Sequence, residues 1–134
     1  MSRLLLVEDD RAAVFGMQQF LEAEGYVVDV AGTLPQALER LRRQAYRAVI
    51  TDWALSSLGC EGEAVVRAAR EKGAKVKIVV ITAQPLAEVQ PRAAAAGADA
   101  VLQKPVPMAA LRAQLPPPRR QRRTAKTRTK GKKR

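Results

Sequence analysis

Histidine is absent from the 134 residues, so no imidazole serves as base, nucleophile or metal ligand. That removes the commonest hydrolase and zinc arrangements. The one cysteine, Cys60, cannot close an internal disulfide, and no strong thiolate-stabilising partner stands near it in sequence, so it reads as an ordinary thiol. No apolar stretch approaches the roughly 20 residues of a membrane span, and the short run after Met1-Ser2-Arg3 cannot form a signal-peptide core. The expectation is a cytoplasmic protein. Acids are missing from the C-terminal stretch: of 24 Lys and Arg, ten fall in residues 116–134 beside no Asp or Glu, which leaves 14 against 13 acids in residues 1–115. Nearly all of the net charge of +11 is therefore in the tail.

What is present is an alternation of short apolar runs with helix-period stretches. With 47% apolar residues the chain can bury one core but not two ordinary ones. The expected organisation is one domain over 1–115 and a tail over 116–134. Leu4 to Val7 reads as a strand ending in the acids Glu8-Asp9-Asp10, and Ala13, Val14, Met17, Phe20 and Leu21 follow at helical spacing up to Gly25. Tyr26 to Val30 is a second strand. Thr33 and Gln36 have capping-box spacing, with Pro35 in the first turn, so a helix starts there and is expected to bury Leu34, Leu38, Leu41 and Ala45. Ala48-Val-Ile50 reads as a buried strand with Asp52 just beyond it. The loop Leu55 to Gly62 leads to a helix carrying Val65, Ala68 and Ala69. Val76 to Ile81 is the strongest strand signal and ends in Thr82-Ala83. Pro85 to Ala96 is a helix stopped by Gly97, with Pro91 expected to kink or shorten it. Ala100 to Gln103 is a fifth strand before Lys104-Pro105, and Val106 to Leu115 a last helix.

Five strand–helix units of this length imply a doubly wound α/β fold, a five-stranded parallel sheet with helices on both faces. Ligands of such folds bind at the carboxyl ends of the strands, and Glu8, Asp9, Asp52, Thr82 and Lys104 all fall there. Gathered acids repel one another unless a cation sits among them. Asp10 reads as a helix cap. Trp53 reads either as partner surface or as loop packing.

An acidic pair after strand one, Asp after strand three, Thr-Ala after strand four and Lys-Pro after strand five together resemble the receiver domains of bacterial two-component response regulators. The resemblance covers residues 3 to 115 and implies the flavodoxin-like receiver fold. It implies Asp52 as phosphoacceptor, Mg2+ held by Glu8, Asp9, Asp52 and the backbone carbonyl of Ala54, and Thr82 and Lys104 on the phosphoryl oxygens. The implied donor is a histidine kinase or a phosphotransfer protein. The chemistry suits these residue types: a hard cation with oxygen ligands and a lysine neutralise an incoming phosphoryl group, and a hydroxyl can change partners when it arrives. The sequence departs from the pattern at Val101, where an aromatic is usual, at Ser56, where proline is usual, in a longer loop before Glu61-Gly62, and at Pro91.

The tail carries Arg119, Arg120, Arg122, Arg123, Lys126, Arg128, Lys130, Lys132, Lys133 and Arg134 with no acid or aromatic. Such a composition cannot bury a core and is expected to be disordered, with Pro116-Pro-Pro118 as an extended spacer. Its charge suits nucleic acid or another polyanion bound by counterion release, and no apolar anchor accompanies it for a membrane. The expected function is a stand-alone response regulator that accepts phosphate on Asp52 and alters partner binding, not an enzyme with a released product. The alternative is a phosphorylation-independent nucleic-acid or scaffold-binding protein on a degenerate receiver fold, driven by the tail. A small aspartyl-phosphate phosphatase is disfavoured because Trp53-Ala54-Leu55 offers no second catalytic acid.

Overall fold

Five short runs rich in Leu, Val and Ile form the strands β1 (Arg3–Val7), β2 (Val27–Ala31), β3 (Ala48–Asp52), β4 (Lys77–Thr82) and β5 (Ala100–Gln103). Between and after them run the helices α1 (Arg11–Ala23), α2 (Leu34–Arg43), α3 (Glu61–Lys72), α4 (Leu86–Ala96) and α5 (Met108–Ala113). This is a computed structural model, and it describes residues 2–55, 59 and 61–118. The strands make one parallel sheet in the order β2-β1-β3-β4-β5. The α/β reading of the sequence is correct.

Side chains alternate across the strands, so each face of the sheet has its own core. Leu5, Val7, Val49, Ile78 and Val80 face α2, α3 and α4, where they meet Leu41, Val65, Val66, Val89 and Ala93. Leu4, Leu6, Ile50, Val79 and Ile81 face α1 and α5, against Met17, Leu21 and Leu111. The division follows from topology: the chain steps one way across the sheet from β1 to β2 and the other way from β2 to β5, and crossovers of one hand then place α1 opposite α2, α3 and α4. Burial of each of these large side chains is worth about 1.5–3 kcal/mol, which is why the strands read as unbroken apolar runs.

The helix ends match their chemistry. Asp10 caps α1, its Oδ1 accepting from the N–H of Ala12 at 2.9 Å and of Ala13 at 3.2 Å. Thr33 Oγ1 accepts from Gln36 N at 3.2 Å, while Gln36 Oε1 accepts from Gly32 N at 2.8 Å, so the expected box closes one residue further back. Gly97, at φ 119°, closes α4.

Four expectations are corrected. Leu38 is 40% exposed and Ala37 takes its place in the core, because α2 turns its face toward α3. Ala45 is exposed, since the helix ends at Gln44 in extended conformation. Pro91 does not shorten α4, which runs unbroken from Leu86 to Ala96; it and Ala87, whose carbonyl it leaves without a helical partner, both lie on the exposed side. The last helix is shorter than Val106 to Leu115, because Pro107 holds Val106 out of helical geometry.

The three prolines also behave differently from a free spacer. Tyr26 Oη donates to the Pro116 carbonyl, and Pro118 is buried, its Cβ 3.3 Å from where a side chain on Gly25 would begin. Residues 119–134, Ser56 and Cys60 lie outside the described residues.

Candidate functional site

The sheet order reverses beside β1, and the carboxyl ends of β1 and β3 border that switch point, where doubly wound folds open a crevice. Asp52 is the last residue of β3 and Glu8 the first after β1. Backbone bonds fix both ends: Glu8 N donates to Ala31 O at 3.0 Å, and Trp53 N donates to Ile81 O at 2.9 Å. One carboxylate oxygen each from Glu8, Asp9 and Asp52 lies within 4.8 Å of the others. Glu8 and Asp52 are buried and Asp9 is exposed, so the cluster has a closed floor and an open mouth.

Lys104 reaches in from the end of β5. Its Nζ donates to Asp52 Oδ2 at 3.2 Å and to Glu8 Oε1 at 3.3 Å, bridging the two buried acids. Its backbone N–H donates to Thr82 O at 2.8 Å, and the peptide to Pro105 is cis. Burial pushes the Glu8 carboxyl above its usual range; the Asp10 N–H at 3.1 Å opposes that rise, and the Asp52 carboxylate adds to it. Burial also disfavours a charged Lys104, but the Asp52 and Glu8 carboxylates together outweigh it and raise its pKa. The ammonium therefore stays charged and partly neutralises the acids.

The sequence-predicted residues thus converge, with one difference of detail. Glu8, Asp9, Asp52 and Lys104 form one cluster. Thr82 ends the neighbouring strand and is buried, but its hydroxyl accepts from Gln84 N at 2.9 Å, and no hydrogen bond joins it to Asp52 among the described residues. Ala54 stands beside Asp52 through its backbone, its N–H donating to Asp52 Oδ1 at 3.3 Å. Trp53 is 2% exposed and belongs to the α2–α3–α4 core, so it is loop packing; Arg92 lies over its ring at 5.7 Å.

Two features of the site escape a reading of the sequence. Gly62 donates to Trp53 O at 2.9 Å, and a side chain there would begin 2.6 Å from Trp53 Cα, so the start of α3 rests directly on the backbone that carries Asp52. A glycine inside a helix is the only local signal of such a contact. Beside Lys104, an apolar groove of about 560 Å³ opens between α1 and the β5–α5 connection, lined by Ala13, Gly16, Met17, Pro105 and Met108.

The oxygen-only donor set fits a hard divalent cation better than a soft one. A doubly wound parallel sheet with acids and a lysine at its switch-point edge defines the class: an α/β receiver-type domain. The model of the response regulator receiver domain matches residues 4–116. The chain is 34% identical over 113 residues to the transcriptional regulatory protein QseB of Escherichia coli O157:H7, covering 84% of this chain and 51% of that protein. It is 35% identical over 115 residues to response regulator RppA of Synechocystis, covering 84% and 48%. The chain thus spans about half the length of these curated relatives.

Among solved structures, the receiver domain of sensor histidine kinase PA1611 from Pseudomonas aeruginosa, with a magnesium ion coordinated in its active site cleft, is 31% identical with a TM-score of 0.72, covering 84% of this chain and 92% of that one. A response regulator from Burkholderia pseudomallei with a phosphorylated aspartic acid and a calcium ion shares the fold at a TM-score of 0.79 and 22% identity, covering 87% and 67%. The chain belongs to the response regulator receiver domain family of two-component signalling. No helix among the described residues is long and apolar enough to cross a membrane.

Proposed function

We propose that this domain accepts a phosphoryl group on the Asp52 carboxylate from the phosphohistidine of a histidine kinase or phosphotransfer protein in the cytoplasm, and that the aspartyl phosphate alters how the domain binds a partner. The observation that carries this reading is the setting of Asp52. It is a buried carboxylate at a strand end, held by Lys104 Nζ at 3.2 Å and Ala54 N at 3.3 Å, with the oxygens of Glu8 and Asp9 within 4.8 Å.

In the reaction an Asp52 oxygen attacks phosphorus while the phosphorus–nitrogen bond of the donor breaks and the electron pair leaves with the imidazole. The task of the protein is to position and neutralise. Lys104 already sits between the two buried acids, and its ammonium is within reach of an oxygen of the incoming group. Glu8, Asp9, Asp52 and the carbonyl of Ala54 would hold Mg2+, whose charge offsets that of the phosphoryl oxygens. The magnesium in the cleft of the 31%-identical PA1611 receiver domain favours this ion over calcium. Thr82, one strand away, would exchange its bond with Gln84 N for a phosphoryl oxygen, and that movement would carry the signal to the start of α4. The groove between α1 and Pro105 is open beside the site because Gly16 has nothing within 4 Å of where its side chain would be, and it gives a donor protein a place to lie.

On this reading the domain is a stoichiometric acceptor and not an enzyme with a released product. The ten basic residues from Arg119 to Arg134 add a second function, attachment to nucleic acid through phosphate contacts. Trp53 gives the test of the first. Magnesium and then acetyl phosphate should each change its fluorescence, and Asp52→Asn should abolish the second change. A donor response that survives in Asp52→Asn would refute Asp52 as the acceptor.

A further inference from the structure

The edge of the sheet opposite Asp52, at the amino ends of the strands, carries charge of the other sign. Eight of the 14 basic residues of the domain fall in two stretches, 40–47 and 70–77, which contain one acid, Glu71. These stretches lead into β3 and β4, which are adjacent, and Lys77 N donates to Arg47 O at 3.1 Å.

Arg40, Arg42, Arg43 and Arg70 of these stretches are already in ion pairs with Asp29, Glu39 or Asp99. Arg47, Lys72, Lys75 and Lys77 are in none among the described residues. The comparison is sharp, because outside these stretches Arg11 is the only other basic side chain of the described residues without an ion pair. Arg47, Lys75 and Lys77 line one cleft of about 670 Å³, with Tyr46, Gln114 and Pro116. Nη1 of Arg47 is buried and finds no acceptor among the described residues. A guanidinium in that condition is unusual, since buried polar groups are nearly always paired.

Where the chain leaves the domain gives the cleft a further meaning. Pro116 is part of its wall, and Pro118 rests on Gly25 at the amino end of β2, so the ten basic residues that follow are attached at this same edge.

We propose that Arg47, Lys72, Lys75 and Lys77 form a nucleic-acid phosphate-binding surface on the far edge of the sheet from Asp52, the edge at which the chain leaves the domain after Pro118. The inference extends the tail reading above and is independent of the phosphoacceptor reading. Nucleic acid is the occupant the charges favour: unpaired cations spread over adjacent strand ends suit a line of phosphates, and among the described residues no exposed aliphatic or aromatic cluster accompanies them for a bilayer. Facing the ligand away from Asp52 leaves the acidic edge, which repels phosphate, out of the contact.

The test is the salt dependence of binding of the full chain to a labelled mixed-sequence DNA duplex. Replacing Arg47, Lys75 and Lys77 together by Gln should lower the slope of log K against log salt by about 2 to 3 and weaken binding at least tenfold near 0.1 M salt, at about one counterion per lost contact. Lys72→Glu with Lys75→Glu, both exposed residues that folding does not need, should weaken it in the same direction, while Arg11→Gln leaves it unchanged. A full chain with its ten tail cations changed to Gln separates the tail from this surface. If that variant loses all binding and the cleft variants keep the wild-type slope, the tail binds alone and the proposal is overturned. Unchanged binding in every variant would overturn the tail reading as well. Preference for phosphatidylserine vesicles over the duplex at equal salt would also overturn it.

Discussion

Gly62 is where a single methyl group matters most. A side chain there would begin 2.6 Å from Trp53 Cα, and the obstacle is backbone, which cannot rotate away. Gly62→Val should therefore destabilise the domain by about 1–3 kcal/mol, read as a lower urea midpoint, and should slow adduct formation by shifting Asp52. Wild-type stability in Gly62→Val would mean that α3 does not bear on the Asp52 turn. Lys104 supplies the opposite kind of test. Its Nζ bridges Glu8 and Asp52 at 3.3 and 3.2 Å, so Lys104→Met should tighten divalent-cation binding while slowing phosphorylation by about 10- to 100-fold. Weaker cation binding in that variant would show that the ammonium does not compete for the acids. That Glu8, Asp9, Asp52 and Lys104 come together was legible in the sequence because each stands at or just past the end of a β-rich run, and parallel strands bring such ends to one edge. Gly62 and Arg47 were not, because a close backbone approach and an unpaired guanidinium exist only once distant segments have met.

The helices separate local signals from tertiary ones. Caps were readable, since Asp10 and Thr33 act through bonds spanning two or three residues. The buried face of α2 was not: Leu34, Leu38, Leu41 and Ala45 make a good stripe, yet the approach of α3 rotates the helix so that Ala37 goes in and Leu38 comes out. Pro91 leaves the length of α4 intact for a related reason, because its cost depends on whether the orphaned carbonyl lies on an exposed face. Arg70 ties these elements together at the amino edge of the sheet. It donates to the carbonyls of Gly73, Ala74, Val76 and Gly97 and pairs with Asp99 at 2.8 Å, joining α3, the turn before β4 and the end of α4. Arg70→Met should cost about 2 kcal/mol in denaturant unfolding, and Arg70→Lys should recover little, because a point charge cannot serve five acceptors in a fork. Full recovery by lysine would reduce the residue to a surface charge.

The whole domain is polarised along its strands. Glu8, Asp9, Asp10 and Asp52 collect at the carboxyl edge, and Arg47, Lys72, Lys75 and Lys77 at the amino edge, although the net charge of residues 1–115 is close to zero. Composition conceals this arrangement, because it appears only when a parallel sheet sends alternate turns to opposite ends. On the proposed reading, one edge would take a cation and a phosphoryl donor, and the other the phosphates of a nucleic acid. The central claim concerns the first edge, and the most direct measurement is the intact mass of the full chain after incubation with acetyl phosphate and magnesium, followed by peptide mapping. The account predicts one added phosphoryl group, dependent on the metal, located on Asp52 and absent from Asp52→Asn. An unmodified mass, or an adduct on another residue, would contradict it.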